Sequence, residues 1–301
     1  MNVVIAGGTG FIGGALVDAL LARGDKPLLL TRDSQAARAR WGAKVAVALW
    51  DGREAENWVD GADAVVNFSG ASIASGRWTP ERKLVLIKSR LESTRALVAG
   101  MNRAAKRPKV LVNASAVGYY GSAPGGLSTE DSEQGRDFLA ALCGQWEREA
   151  LAAEPLGARV VLARFGVVLE EGGGALAKMA PPFKLFAGGP LGSGLQGFPW
   201  IHRDDVVGGI LFALDHEKLS GAVNFAAPGT ANNREFSSAL GRALGRPSWA
   251  PAPAFALKLI LGEMADMLLG GQTAPPKKLL AAGYKFKYET ADAALAAIYR
   301  K

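Results

Sequence analysis

Val3-Val4-Ile5-Ala6-Gly7-Gly8-Thr9-Gly10-Phe11-Ile12-Gly13 is the stretch that decides the fold of this chain. An apolar run enters a glycine-rich turn there, and apolar residues then recur at helical spacing until Gly24. A buried strand that passes through such a turn into a helix is typical of a dinucleotide-binding βαβ unit. The stretch therefore predicts a nucleotide site, and a loop without a ligand is the alternative.

The glycines of this turn follow the spacing G-x-x-G-x-x-G, with Gly8 in addition. The first permits a tight turn, the second removes a side chain where backbone approaches a pyrophosphate, and the third lets the helix pack closely. Free N–H groups and the dipole at the helix start favour phosphate. The predicted phosphate-binding residues are Gly7, Thr9, Gly10, Phe11, Ile12 and Gly13.

The composition is that of an ordinary globular protein. The 301 residues are 49% hydrophobic, enough for one large core or two smaller ones. No apolar run reaches the roughly 18 to 20 residues of a membrane span, and Lys258, Glu263 and Asp266 interrupt the most apolar late stretch, 255–269. Because a core strand begins the chain, we expect no signal peptide.

The chain has one cysteine, Cys143, and two histidines, His202 and His216. A single cysteine excludes an internal disulfide and fits a reducing compartment, so the cytoplasm is the predicted location. These three residues form no convincing zinc or Cys-His motif, and no metal is predicted.

The formal net charge is +7, but the basic residues are scattered and lack interleaved aromatic residues. This pattern favours a solvated surface that attracts an anionic cofactor over a nucleic-acid interface. The predicted partner is a small-molecule substrate, with no nucleic acid and no membrane, and a homodimer is left open.

A second strand, over 27–30, ends at Thr31-Arg32-Asp33, about twenty residues after the glycine turn. At this tip an acidic residue binds the ribose of NAD, whereas an arginine accommodates the extra phosphate of NADP. Thr31 and Arg32 therefore predict NADP. Asp33 is the counter-argument as a ribose acceptor, with capping of the following helix as its other role.

Later strands are expected to bring small residues to the same edge of the sheet. A strand over 64–68 breaks into Ser69-Gly70-Ala71, and ligands collect at the carboxyl ends of parallel strands. Arg90, on the basic helix that follows, either reaches a phosphate or lies on a solvated face. Asp51, after a strand over 44–49, is either an edge of the adenine pocket or a turn residue.

The strand over 110–113 delivers Ser115 and Tyr119 to this edge. A hydroxyl at a strand's carboxyl end is a natural hydrogen-bond donor to a substrate carbonyl. We therefore take Ser115 as the first catalytic candidate, and a hydroxyl that only bonds within its own turn is the alternative.

These three turns, at 7–13, 69–70 and 115–121, resemble the extended short-chain dehydrogenase/reductase superfamily, which includes nucleotide-sugar epimerases. More narrowly, the chain resembles an atypical branch labelled "epimerase family protein" or "cell-division-inhibitor-like". The motifs that carry this likeness are Gly76-Arg77-Trp78, Ser115-Ala116-Val117-Gly118-Tyr119-Tyr120-Gly121, Asp137-Phe138-Leu139-Ala140, Trp146-Glu147, Trp200-Ile201-His202 and, in a small C-terminal domain, Leu261-Gly262-Glu263.

The resemblance implies an α/β fold, a Rossmann-type doubly wound parallel sheet with a smaller, mostly helical lobe. It implies an NADP-binding domain over 1–170, to which 196–230 partly returns, and a substrate and C-terminal lobe over 171–195 and 231–301. It also implies that Ser69, Gly70, Ala71, Arg90, Ser115, Arg164 and Gly166 contact the cofactor.

The departure from this family is chemical. Typical members carry a Tyr-x-x-x-Lys pair on the helix after the serine turn, where the lysine helps the phenol exchange a proton. Here the pair becomes Phe138 with Leu142, or Leu139 with Cys143. The usual proton donor is missing.

Few residues are candidates to replace it. Tyr119 and Tyr120 follow Ser115 closely enough to share its crevice. Tyr119 is the second catalytic candidate, although by the resemblance it matches a position that usually packs rather than reacts. Glu130 and Asp131 lie on a loop, where acidic residues are usually solvated. Cys143 is expected to be a small buried hydrophobe.

In the second half, the resemblance implies a lid near 172–194 and a pocket lined by Phe183, Gln196, Trp200 and Arg203. Core packing is the alternative for Phe183 and Trp200. The resemblance also implies that His202 is the end of a strand before a helix capped by Asp204 or Asp205.

The sequence thus predicts an NADP(H)-dependent oxidoreductase or epimerase that acts on a small polar substrate without the Tyr-x-x-x-Lys pair. The alternative is a non-catalytic NADP(H)-binding protein with a redox-sensing or regulatory role.

Overall fold

The computed structural model describes residues 1–54, 57–122 and 126–299. Its strands are β1 (Asn2–Ala6), β2 (Lys26–Thr31), β3 (Ala46–Leu49), β4 (Ala64–Asn67), β5 (Val110–Ala116), β6 (Arg159–Phe165), β7 (Val167–Leu169), β8 (Trp200–His202) and β9 (Gly221–Phe225). Its α-helices are α1 (Gly13–Ala22), α2 (Ser34–Trp41), α3 (Pro80–Arg103), α4 (Phe138–Leu151), α5 (Leu176–Lys184), α6 (Arg203–Asp215), α7 (Asn233–Leu244), α8 (Ala254–Leu261), α9 (Met264–Leu269), α10 (Lys277–Ala281) and α11 (Ala291–Tyr299).

One seven-stranded parallel sheet has the strand order β3-β2-β1-β4-β5-β6-β9, and β7 pairs with β8 in a separate sheet. This order confirms the predicted Rossmann-type doubly wound sheet. The chain builds outward on one side of β1 and then, from β4, on the other. The crevice for a ligand therefore lies beyond the carboxyl ends of β1 and β4.

Both faces of the sheet are covered, which is why its strands read as apolar runs rather than as alternating patterns. Val3 and Ile5 belong to the core under α1 and α6, whereas Val4 and Ala6 belong to the core under α3. This division follows the two-residue period of a strand.

A third apolar cluster lies in the smaller lobe, where α5, α7 and α11 pack around Phe183, Trp200 and Phe236. Strand β9 lies at the edge of the main sheet, beside β6. Among the described residues, no helix is long and apolar enough to cross a lipid bilayer.

Strand β5 continues past its predicted bounds of 110–113, and its neighbour β6 extends to Phe165. Their pairing places Ser115 beside Arg164, and Arg164 beside Asn224 of β9. Three polar residues therefore stand in one row across the carboxyl end of the sheet.

Candidate functional site

The glycine turn after β1 is built as a tight ligand-binding turn. Gly7 has a φ of +79°, which favours glycine, and a Cβ there would lie 3.0 Å from the backbone of Phe68. A Cβ at Gly13 would collide with the carbonyl oxygen of Gly7. At Gly10 a Cβ would approach that same oxygen, at 3.2 Å, and no other neighbour. Packing within the chain explains Gly7 and Gly13, while Gly10 leaves open space on the crevice side.

The backbone at the start of α1 has the donors that a pyrophosphate requires. The N–H groups of Phe11, Ile12 and Gly13 donate to no residue within the described ranges. Consecutive free N–H groups at a helix start, together with the helix dipole, form a site for an anion. The residues present therefore fit the phosphates of a dinucleotide.

At the tip of β2, one of the three side chains of 31–33 makes no hydrogen bond to the described part of the chain. The Thr31 hydroxyl accepts a hydrogen bond from the backbone N–H of Asp33 at 3.1 Å, and the Asp33 carboxylate accepts from Ala36 N–H at 2.9 Å. Asp33 thus caps α2, which was one of its two predicted roles. Arg32 is exposed and bonds to no described residue.

Arg90 supports the turn after β4 from behind. Its guanidinium is buried, donates to the carbonyl oxygens of Ala71 and Leu86 at 3.1 and 3.2 Å, and lies over the ring of Trp146. Burial holds the pKa of Arg90 below its usual value. The solvated alternative for Arg90 is wrong, because the side chain is buried and the turn at Gly70 packs directly on it. Its contact with a phosphate stays a prediction.

A buried ion pair lies beneath the row of polar residues. Glu147 of α4 receives two hydrogen bonds from Arg164, both 2.8 Å long, and one from the Ser115 hydroxyl at 2.7 Å. Burial opposes the charge of Arg164, but the hydrogen bonds and charge of Glu147 outweigh it and raise the pKa of Arg164. The Arg164 guanidinium is therefore bonded inside the protein, and its contact with the cofactor stays a prediction.

Ser115 is buried and faces α4 rather than the crevice. Its proton is already donated to the carboxylate, so in this arrangement the hydroxyl orients Glu147 instead of a substrate. The Ser115 hydroxyl is thus neither a free donor for a substrate nor bonded within its own turn.

Two adjacent tyrosines continue the network with different roles. The Tyr120 hydroxyl accepts from Arg164 at 3.0 Å and donates to Asn224 at 2.7 Å, and burial raises its pKa. Tyr119 is half-buried, and its ring stacks 3.5 Å from the guanidinium carbon of Arg164. The Tyr119 hydroxyl makes no hydrogen bond to any of the residues described.

Glu130 differs from its predicted solvated state. It is buried, and its carboxylate accepts from the backbone N–H groups of Asn224 at 3.3 Å and Lys278 at 3.0 Å. Asp131 beside it is exposed, as expected for a loop. Glu130 thus ties the sheet edge to the C-terminal segment, a contact that no local pattern indicates.

The positions of the missing Tyr-x-x-x-Lys pair are filled by apolar packing. Phe138 and Leu142 join Trp78 and Met264 in one cluster. Cys143 is buried, and burial raises the pKa of its thiol to about 12. The interpretation of Cys143 as a buried hydrophobe agrees with this position.

The four predicted pocket residues are not brought together as a pocket wall. Phe183 and Trp200 lie in the core of the smaller lobe, because the apolar faces of α5 and α7 enclose them. Gln196 donates to the carbonyl oxygens of Leu191 and Leu268, both at 3.0 Å. Arg203 pairs with Glu170 at 2.8 Å.

The structure adds a packing role for Gly166 and changes the predicted cap of α6. Gly166 is required by packing, since a Cβ there would collide with the carbonyl oxygen of Pro199. The cap of α6 is His202 itself, whose Nδ1 accepts from the N–H of Asp204 at 3.0 Å, and not Asp204 or Asp205. Arg203 is the first residue of the helix.

The sequence reasoning missed Glu147, Asn224 and the buried state of Glu130. A signal for Glu147 was available, because it stands on the helical stripe that includes Ala140, Cys143 and Ala150, all of them small or apolar. A carboxylate on such a stripe needs a buried partner. Within the described ranges, no group of three or more His, Cys, Asp or Glu residues is placed to hold a metal ion.

Comparison with known families identifies the relatives of the whole chain. A family model described as "NAD dependent epimerase/dehydratase family" matches residues 3–226. A second model, a domain of unknown function called DUF1731, matches residues 252–298. Among curated relatives, "Epimerase family protein SDR39U1 homolog, chloroplastic" of Arabidopsis thaliana is 44% identical over 99% of this chain and 86% of its own length. "Epimerase family protein SA0724" of Staphylococcus aureus is 40% identical over 97% of each chain.

Solved structures of epimerase family proteins are also similar to this chain. The human epimerase family protein SDR39U1 (isoform 2), crystallised with NADPH, has a TM-score of 0.90 and 36% identity over the whole of both chains. A nucleoside-diphosphate sugar epimerase of Corynebacterium glutamicum has a TM-score of 0.79 and 28% identity over 99% of this chain and 58% of its own.

Proposed function

This chain belongs to the NAD dependent epimerase/dehydratase family, and from that premise we propose that it binds NADP(H) and uses it in an oxidoreductase or epimerase reaction on a small molecule. The observation that carries the proposal is the set of unbonded N–H groups at Phe11, Ile12 and Gly13 beside the open space at Gly10. When bound, the nicotinamide supplies or accepts a hydride. The single buried cysteine supports a reducing compartment such as the cytoplasm.

The choice of NADP over NAD rests on Arg32. Thr31 and Asp33 are used in capping and turn contacts, so Arg32 is the side chain left at the tip to meet a 2′-phosphate. The NADPH in the human relative supports the same cofactor.

Arg32→Ala should weaken NADPH binding about tenfold or more while leaving NADH binding within about twofold, since a lost charged contact of ~1.4 kcal/mol gives a factor of ten. Titration of cofactor fluorescence measures both affinities. Lys26→Ala is the matched control, because Lys26 is an exposed cation at the opposite end of the same strand. Equal losses for both cofactors would contradict the preference for NADP.

For the acid–base step we propose Tyr119. Its hydroxyl is free of protein partners, whereas the other candidates, Ser115, Glu147 and Arg164, already bond to one another. The guanidinium of Arg164 stacks on the face of the Tyr119 ring, 3.5 Å from its centroid, and fixes the position of the ring. Tyr119→Phe keeps this stacked ring and should leave NADPH affinity unchanged while it lowers turnover at least a hundredfold.

A second function is favoured by one observation, the apolar packing of Phe138 and Leu142 where the usual proton donor stands. A non-catalytic protein that binds NADP(H) and reports redox state to a partner needs no such donor. A metabolite screen in which NADPH is bound but no compound changes its absorbance would favour this function. Pull-downs that recover different partners with and without NADPH would add to that result.

A further inference from the structure

The smaller lobe carries an apolar surface that no part of the described chain covers. Six large side chains are between 55 and 77% exposed, and we call them the apolar face: Leu185, Phe186, Trp249, Phe255, Leu259 and Ile260. Helix α8 has no buried residue at all. Its last residue, Leu261, is partly buried against the cluster that contains Trp78 and Met264. A leucine-rich helix with so few buried side chains is unusual for a water-facing surface.

Hydrogen bonds to backbone carbonyl oxygens hold the two segments of this face side by side. The indole N–H of Trp249 donates to the carbonyl oxygen of Phe186 at 2.9 Å, and the N–H of Ala250 donates to Gly188 at 3.1 Å. The segment that enters α8 therefore runs along the segment that leaves α5. At the far end of α8, Arg77 donates to the carbonyl oxygens of Leu259 and Ile260.

Phe186 is held in a conformation that exposes its ring. It has a φ of +60°, in the left-handed region that costs a side-chain-bearing residue about 1 to 2 kcal/mol. The ring is 55% exposed, so burial offsets little of this cost, and its ring contact within the chain is the guanidinium of Arg246, stacked at 4.5 Å. A contact outside the chain would give this strained, exposed ring a function.

The two segments that form the apolar face carry charge of one sign, although Glu263 and Asp266 follow directly after α8. Residues 172–203 and 236–262 contain no Asp or Glu, and their cations are Lys178, Lys184, Arg203, Arg242, Arg246 and Lys258. Of these, Lys184, Arg246 and Lys258 are exposed beside the face. Lys258 pairs with Asp266 of α9 at 3.2 Å, but both side chains are more than half exposed and free to exchange partners.

We propose that the apolar face lies on the surface of an anionic phospholipid membrane. Aromatic and aliphatic side chains then enter the boundary between head groups and acyl chains, with the indole of Trp249 at the polar level, and the cations meet lipid phosphates. A second copy of this chain fits less well, because a symmetric dimer would bring the same cations face to face.

This inference departs from the sequence prediction of no membrane partner, which considered only segments that span a bilayer. A helix of eight residues that lies in the membrane plane needs no such length. The inference is also independent of the proposed enzymatic function, since the apolar face includes none of the cofactor-binding residues.

Sedimentation of the full chain with vesicles tests the proposal. We expect binding to vesicles of phosphatidylglycerol mixed with phosphatidylcholine, and at least tenfold weaker binding to phosphatidylcholine alone or in high salt. The double variant Phe255→Ser/Leu259→Ser should lose at least tenfold in vesicle affinity. Leu49→Ser/Leu127→Ser is the matched control, because these leucines are 66 and 68% exposed elsewhere on the molecule.

Trp249 provides an internal probe, because it is the exposed tryptophan, whereas Trp41, Trp50, Trp78, Trp146 and Trp200 are buried and Trp58 is half-buried. Anionic vesicles should shift the emission to shorter wavelength in the parent chain and not in Trp249→Phe. NADPH titration of each variant shows that its fold and cofactor site are intact.

Three results would overturn the proposal: no binding to anionic vesicles, equal binding to neutral ones, or equal losses in the control pair. Self-association that the face variants abolish, without vesicle binding, would assign the face to a second copy instead.

Discussion

At the scale of single residues, we expect the free energy of unfolding to depend most strongly on Glu147. It is the buried partner of Arg164 and also receives the Ser115 hydroxyl. Glu147→Gln keeps the size of the side chain but leaves the Arg164 charge buried and unpaired. We expect the free energy of unfolding to fall by about 3 to 5 kcal/mol, measured by chemical denaturation.

The control stands two residues along the same helix. Glu149 pairs with Arg95 at 3.1 Å, but Arg95 is largely exposed, so Glu149→Gln should cost less than about 1 kcal/mol. Similar costs for the two substitutions would mean that the buried pair contributes no more than a surface pair.

Contacts between residues close in sequence could be predicted, whereas contacts between distant segments could not. Gly13 and Asp33 act on backbone within their own turn or helix start, and these local roles were among those predicted, whereas Gly7 is also required by the distant backbone of Phe68. Arg90 and Glu130 bond to segments that are distant in sequence, and neither partner can be inferred from spacing.

At the scale of elements, helix α6 depends on an unusual cap, the neutral imidazole of His202. Its Nδ1 can accept the Asp204 N–H only while it carries no proton. Burial lowers the pKa of His202 below its ordinary 6.5, with Asp204 and Glu170 acting in the opposite direction. The folded state therefore favours the neutral imidazole more strongly than the unfolded state does.

The sign of the pH dependence follows. The stability contributed by this cap is fully present above pH 6.5, and it is lost as the pH falls from there through the lowered pKa of the folded state. We expect a loss of about 1 kcal/mol, the usual value of a cap. His202→Asn keeps a side chain that can cap the helix but cannot be protonated. Between about pH 5 and 8, the unfolding free energy of this variant should therefore lack the pH dependence that His202 causes. Identical pH profiles for the variant and the parent chain would contradict this account.

The strands themselves were predictable, because parallel strands covered on both faces are apolar throughout. Their ends were not. Strands β5 and β6 run on to Ala116 and Phe165, since Ser115, Arg164 and Asn224 pair with one another across the sheet. Pairing between strands more than forty residues apart is a tertiary property that a local pattern does not contain.

At the scale of the whole molecule, the C-terminal segment completes the wall of the candidate site. Gln272 donates to the carbonyl oxygen of Val117 at 2.6 Å, and Asn224 donates to Pro275 at 3.1 Å. Glu130 accepts from the first turn of α10 through Lys278. The turn that carries Tyr119 is thus held between the sheet and a segment about 150 residues further along the chain.

Removal of the Glu130 carboxylate should loosen this wall while the sheet stays folded. In Glu130→Ala the N–H groups of Asn224 and Lys278 lose their acceptor, and unsatisfied buried donors cost about 1 to 3 kcal/mol. We expect hydrogen exchange to rise about tenfold or more in residues 270–282 and 117–121, and to stay unchanged in β1 and β2. Asp131→Ala, at the exposed neighbouring carboxylate, should leave both segments protected. Because the same wall holds the Tyr119 turn, Glu130→Ala should also lower turnover more than NADPH affinity, whereas a parallel fall in both would mean that the C-terminal segment supports the cofactor site directly.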